Sequence, residues 1–210
     1  YEAGVKGSLL QGRLGYDFCA YFYDWYNYQT SVFNATTSKY EYDDAGRAHS
    51  FGLEASINYS PCRWLNIFGN WAYIEGKFND KDDKGNAQRY AGNRFRLTPK
   101  NSFAVGMDLN VPTSKSASIY FRPTYSWKSK VFFEESNEPE LTQDAYGLLN
   151  FTAGYRFQPG KVYYEIGAFG KNILDEKYVV DAGNSGRQIG FPTYVGGTRS
   201  VLGIMVKVGL

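Results

Sequence analysis

Seven cationic side chains gather at one end of the segments that carry them: Arg89, Arg94, Arg96, Lys128, Lys130, Arg187 and Arg199. Aromatic residues accompany them, namely Tyr26, Tyr28, Tyr90, Phe132, Phe133, Phe191 and Tyr194. Guanidinium groups make charge-assisted hydrogen bonds to carboxylates or hydroxamates, and rings stack or meet cations face-on. A mouth built this way suits an anionic, ring-bearing ligand. Arg89, Tyr90, Arg94, Arg96, Lys128, Phe132, Arg187 and Tyr194 are the expected contact residues. A plainer reading assigns the cations to lipid phosphates and the rings to an interfacial girdle.

Other chemistry is weaker. Asp80-Lys-Asp82-Asp83-Lys-Gly85-Asn86 resembles the start of a calcium loop, but Lys84 takes the fifth position and Ala91 the twelfth, where a bidentate Glu is required. A solvated surface loop is expected instead. His49 is the only histidine, so a triad needs it beside a nucleophile and an orienting group, while the adjacent Ser50 points to the opposite face of a strand. No enzyme is expected. Cys19 and Cys62 fall too far apart on the strand map for a disulfide, and a His/Cys zinc site lacks ligands. No cofactor is expected. Asn34-Ala-Thr36 and Asn150-Phe-Thr152 match glycosylation sequons, a three-residue pattern that often occurs by coincidence.

The elements that must position these residues are strands. Nine stretches alternate apolar and polar residues: 1–10, 13–33, 46–60, 64–78, 99–111, 116–134, 145–157, 161–175 and 197–210. Tight connections fall at Gln11-Gly12, Pro61-Cys62-Arg63, Pro112-Thr113-Ser114-Lys115 and Gln158-Pro159-Gly160. Long connections, near 34–45, 79–98, 135–144 and 176–196, are rich in Asp, Asn, Gly, Lys and Arg. Short turns alternating with long loops, and strands longer than those of a soluble sandwich, describe a transmembrane antiparallel up-and-down β-barrel. Composition agrees. Aromatics reach 18% and net charge is only +2, which gives no reason to expect nucleic acid. Mean hydropathy of −0.46 is compatible with a barrel whose lumen is polar.

Parity divides the faces. Phe51, Leu53, Ile57, Leu65, Ile67, Trp71, Phe103, Val105, Ile119, Phe121, Ile166 and Leu202 are assigned to lipid. Glu54, Asp108, Arg122, Glu165 and Lys171 fall on the lumen side. A midplane Arg or Lys facing lipid costs about 2–4 kcal/mol, so this segregation is what a membrane wall requires. Pro123 lacks a ladder donor and predicts a bulge or local unpairing. The strand count is odd, whereas bacterial single-chain barrels have even counts. The first and last strands are therefore expected to meet further strands rather than each other.

Several segments carry a resemblance. Asn172-Ile-Leu-Asp175-Glu-Lys-Tyr178 resembles the N-L-x-D-x-x-Y segment near the end of TonB-dependent outer-membrane receptors. Gly190-Phe-Pro-Thr-Tyr194, Arg199 and Gly203 resemble that family's final loop and last strand. Tyr1-Glu2-Ala-Gly4-Val-Lys6, Gly52-Leu-Glu54 and Pro99-Lys-Asn101 resemble earlier strand signatures, in the family's order. The resemblance implies a barrel of about 22 strands, of which residues 1–210 form the C-terminal nine. The plug domain and energy-coupling segment would lie upstream, outside this chain. Leu210 stands where the family usually has an aromatic residue.

The function so implied is active import across the outer membrane of a Gram-negative bacterium. A scarce large nutrient, above all a ferric siderophore, would be captured by the outer loops and passed through the lumen when a TonB-type protein moves the plug. The expected partners are outer-membrane lipid and lipopolysaccharide, the rest of the barrel, the plug and the coupling protein. The alternatives are a passive porin or a receptor for cobalamin, haem or oligosaccharide.

Overall fold

The computed structural model describes residues 1–34, 36–37, 39–183 and 191–209. The elements run β1 (Glu2–Leu9), β2 (Leu14–Trp25), β3 (Gln29–Asn34), β4 (Lys39–Asp44), β5 (Ala48–Cys62), β6 (Leu65–Phe78), β7 (Asn101–Ser114), β8 (Ala117–Lys128), β9 (Val131–Phe132), β10 (Thr142–Gln143), β11 (Tyr146–Phe157), β12 (Tyr163–Lys171), β13 (Val179–Gly183), β14 (Thr193–Gly196) and β15 (Val201–Gly209). Nine of them form one antiparallel sheet in the order β1-β2-β5-β6-β7-β8-β11-β12-β15, each beside its sequence neighbour within the sheet. Among the described residues there is no helix. The sheet is open: β1 and β15 form its two edges and do not pair with each other.

Register confirms the faces. Ile57 lies opposite Gly69, and Ala55 opposite Trp71. Trp71 pairs with Phe103, Phe103 with Trp127, and Ile119 with Tyr155. Ile67, Trp71, Ile119, Phe121 and Leu202 are exposed, Leu202 to 71%, while Leu65 is half-buried. An apolar surface of this extent is tolerated when lipid covers it. Pro123 unpairs the ladder locally: pairing passes from Gly106–Thr124 to Leu109–Phe121 without Met107 and Asp108.

The lumen face is kept low by rings that lie over glycines of the next strand. Tyr21 covers its paired Gly52, Phe68 covers Gly106, Tyr120 covers Gly154 and Phe169 covers Gly203. A Cβ on any of these four glycines would meet an atom of the covering side chain at 2.1–2.6 Å, so only glycine leaves room for the flattened ring. Tyr120 also donates to Glu165 (2.8 Å), as does Tyr163 (2.6 Å), while Arg156 and Lys207 approach at 3.2 and 3.7 Å. Glu165 is buried, and these four partners satisfy its charge.

β5 and β7 run on to Cys62 and Ser114, through residues expected in tight turns, so the turns fall one or two residues later. Four other strand ends differ from the sequence expectation by four residues or more. The stretch 13–33 is not one wall strand. It stops at Trp25, the chain turns at Asn27 (φ 54°), and β3 pairs with β4 as a separate hairpin. Asn tolerates this left-handed conformation better than most residues. The stretch 116–134 stops at Lys128, and β9 pairs with β10 instead. The stretch 161–175 stops at Lys171 because Asn172 is left-handed (φ 47°), and the last strand begins at Val201. Both cysteines are free thiols.

Candidate functional site

The four long connections do not lie as separate loops at their end of the sheet. Two small apolar cores hold them together. In the first, Ala45, Ala48, Phe78, Tyr90 and Phe95 are buried with Trp25 and Tyr28 packed against them. Tyr28 stacks on Phe95 (centroids 5.2 Å apart) and meets Phe78 edge-on at 5.3 Å. Such tilted and offset pairs add to the stabilisation from burial. In the second, Val131, Phe133, Leu141 and Ala182 are buried with Val179 alongside.

Polar clamps cross between the connections. Gln88 donates to the Arg47 carbonyl (2.9 Å) and to the Asn79 carbonyl, and it accepts from the Arg47 N–H. Asn137 receives the Arg94 N–H (2.7 Å) and donates to the Arg94 carbonyl (2.9 Å). Thr30 donates to the buried Glu135 carboxylate at 2.6 Å. Tyr28 titrates above the ordinary phenol range, chiefly because it is buried and secondly because Glu135 is near, with Arg96 opposing.

The NILD segment is a fourth clamp. Asn172 donates to the carbonyls of Glu176 and Thr198 (2.9 Å each) and accepts the Glu176 N–H. Asp175 pairs with Arg199 through two guanidinium nitrogens and receives the Ser200 N–H at 3.1 Å. These bonds to Arg199 hold the Asp175 carboxyl below the usual carboxylate range. The segment thus ties the end of β12 to the start of β15.

The expected contact residues separate into groups. Arg94 lies over Phe132 (5.6 Å), and Lys130 approaches the same ring at 5.7 Å. Arg89 lies over Tyr90 at 5.2 Å, but Tyr90 itself is buried in the first core. Arg96 is half-buried near Tyr28. Tyr194 is exposed and donates to the Glu140 carbonyl at 3.0 Å. Arg187 falls outside the described residues. Lys128 reaches the lumen face, over the Tyr146 ring at 5.0 Å, and Tyr146 stacks on Tyr178 at 4.5 Å. Lys128 and Tyr146 help to line a cleft of about 710 Å³ along the lumen wall, with Glu54, Ser56, Asn70, Ser102 and Ser126 among its other lining residues. Tyr146 and Tyr178 were not expected; a Tyr opening a strand looks the same in sequence whether or not a cation meets it.

The weaker candidates have local partners. Asp82 accepts the Lys84 and Asn86 N–H groups and the Asn86 side-chain amide, and the Asn86 bonds lower its pKa. Its carboxylate is thereby occupied within the loop. Among the described residues, no three His, Cys, Asp or Glu side chains converge on a metal-sized space. The His49 ring nitrogen faces Asn79 at 2.6 Å, while Ser50 is buried on the other face.

An open antiparallel wall with one apolar face, one polar face and a folded cap over the long-loop end describes part of a transmembrane β-barrel. Residues 1–173 match the TonB dependent receptor-like, beta-barrel family, and the chain belongs to that family. Barrels of this family are outer-membrane transport receptors. Solved structures share the fold. The ferric yersiniabactin uptake receptor FyuA from Yersinia pestis superposes with a TM-score of 0.78 at 16% identity, over 97% of this chain and 28% of its own. BauA, the ferric preacinetobactin receptor from Acinetobacter baumannii, gives 0.70 at 16% identity, over 99% and 28%. The ferric citrate transporter FecA gives 0.72 at 19% identity, over 99% and 30%. The chain therefore spans less than a third of the length of these receptors.

Proposed function

We propose that this chain is the C-terminal barrel wall of an outer-membrane importer for a ferric siderophore, completed by a plug and driven by a TonB-type coupling protein. The observation that carries the reading is the joining of two features: a polar lumen wall with a cleft along it, and a folded cap whose cations and rings overhang one end. Lys128 with Tyr146 forms the station at the top of the cleft. Arg94 and Lys130 around Phe132 form a second, with Arg89, Arg96 and Tyr194 contributing charge or stacking on the same cap. Tyr90 supports the cap from within its core. Iron-bound chelators with several carboxylates or catecholates match this chemistry: large and net anionic, with rings where the donors are catecholates. Neighbours whose names specify ferric preacinetobactin, ferric yersiniabactin and ferric citrate support the class.

The test is uptake by iron-starved cells that carry the complete receptor as their single importer. Radioactive iron is supplied as catecholate, hydroxamate or citrate complexes. Energy-dependent uptake of at least one complex, weakened by Lys128→Ala, is the expected result. Uptake that persists after the coupling protein is deleted identifies a passive channel instead.

A further inference from the structure

The clamp between β12 and β15 accounts for Asn172 and Asp175 but not for Tyr178, which closes the same segment. The Tyr178 ring is half-buried and stacks on Tyr146, with centroids 4.5 Å apart and planes inclined by 21°. Its backbone is held on both sides. Gly197 donates its N–H to the Tyr178 carbonyl at 2.7 Å, and the Val179 N–H donates to the Gln143 side chain at 2.7 Å. A Cβ on Gly197 would stand 2.3 Å from two atoms of the Tyr178 ring. Gly197 is not left-handed, so the space taken by the ring, and not the backbone conformation, requires glycine there. At the other end of the stack, Lys128 is the register partner of Tyr146, and its ammonium lies 5.0 Å from the Tyr146 centroid. Arg122, Arg156 and Lys207 each reach a carboxylate, Asp108 or Glu165. Among the described residues Lys128 has no carboxylate partner, and a ring takes that place.

We propose that Tyr178 is a positioning residue for the capture of an anionic chelate: seated on Gly197, it holds the Tyr146 ring on which the Lys128 ammonium rests. This rests on the importer reading, in which Lys128 is a ligand contact. Three physical points lead to it. A carboxylate beside Lys128 would neutralise it and compete with an anionic ligand, whereas a ring face orients the ammonium and leaves its charge for the ligand. A lysine stem is long and flexible, so an ammonium already held against a ring loses less freedom when the anion binds. The ring must itself be fixed to do this. Tyr178 fixes it from a connection that is remote in sequence, and Gly197 leaves the room for Tyr178 to lie flat. Tyr178 therefore sets affinity through Lys128, without contact of its own with the chelate.

The experiment uses cells with the complete receptor as their single importer, given a concentration series of radioactive ferric citrate, ferric catecholate and ferric hydroxamate complexes. For an anionic complex that is taken up, Lys128→Ala and Tyr178→Ala should each raise the half-saturating concentration about three- to tenfold at an unchanged maximal rate. Tyr178→Phe, which keeps the stacking ring, should restore the wild-type value. The double variant should be no worse than Lys128→Ala alone, because Tyr178 acts through Lys128. Heat-dependent electrophoretic mobility reports whether each barrel has folded. Should Tyr178→Ala fail to assemble, Gly197→Ala displaces the ring instead, with the same shift expected; failure of both makes Tyr178 a folding residue and overturns the proposal. It is also overturned if the two single effects multiply, if the maximal rate falls at an unchanged half-saturation, or if either alanine variant saturates like the wild type. Each of these leaves the importer reading intact. A wild-type receptor that takes up none of these complexes overturns the importer reading itself.

Discussion

The wall and the cap are built from the same residue types but obey different rules. In the wall, each strand pairs with its sequence neighbour in the sheet, and side chains alternate between lipid and lumen. Little of it is buried, because its solvent on one face is the bilayer. In the cap, burial is concentrated: Phe78, Phe133 and Leu141 are each 2% exposed or less. The cap is a water-facing protein in miniature, with its own cores and cross-loop polar clamps. The difference teaches that exposure of an apolar side chain has opposite meanings in the two regions. Exposed Ile67 contributes to stability once lipid covers it, whereas exposing Phe78 would remove a core.

The largest expected effect separates the regions. Phe78→Ala deletes the ring that touches Tyr28, Tyr90 and Phe95. Losses of this kind cost about 3–5 kcal/mol in a closed core. The cap should loosen while the wall persists, read as rapid protease cleavage within 26–47 and 79–100 against unchanged heat-dependent mobility of the barrel. Loss of both together would show that the regions are one cooperative unit. Next, Val105→Arg and Ala104→Arg place the same charge one residue apart. Val105 faces lipid and Ala104 the lumen cleft, so the first should cost about 2–4 kcal/mol and the second far less. Urea titration of folding into lipid vesicles measures both. Equal costs would break the assignment of faces.

The wall was legible in sequence because its rule is local. Period-two alternation places Ile67, Trp71, Phe103, Val105 and Ile119 on one side without knowledge of any partner, and Gly12 and Pro159 mark tight turns. The cap was not, because its determinants are long-range. Residues 29–33 continue the β-like composition of 14–25, so composition predicts one strand to Phe33; the left-handed Asn27 interrupts it. Gln88, Glu135 and Asn137 read as ordinary polar loop residues, yet each bonds across connections more than forty positions apart in sequence. The cation-rich mouth was visible as composition. That Tyr90 turns inward while Tyr146 meets Lys128 depends on packing that no spacing records.

A smaller effect is expected at the Thr30–Glu135 bond, which joins the β3–β4 hairpin to the connection after β8. Thr30→Val keeps the side-chain shape and leaves the buried carboxylate without this donor. The cost should be about 1–3 kcal/mol, confined to the cap and seen as faster amide exchange at 28–31 and 133–137. Exchange unchanged there would mean that the aromatic core alone fixes the hairpin.

The smallest effect concerns acid. Asp175 has its pKa lowered in the folded chain, first by the Arg199 guanidinium and then by the Ser200 N–H. A carboxyl with a depressed folded value stabilises wherever it is ionised. Its contribution is complete above the ordinary carboxylate pKa of about 4 and is lost as pH falls from there through the folded value. The clamp between β12 and β15 should therefore be indifferent to pH between 8 and roughly 5 and weaken in stronger acid. Both partners are open to solvent, so screening keeps the gain small and high salt should reduce it further. Asp175→Asn should reproduce at neutral pH the faster Ser200 amide exchange that the wild type shows only in acid. If the variant and the wild type exchange alike at neutral pH, Asn172 alone anchors this end of the wall, and the ion pair adds nothing to the clamp.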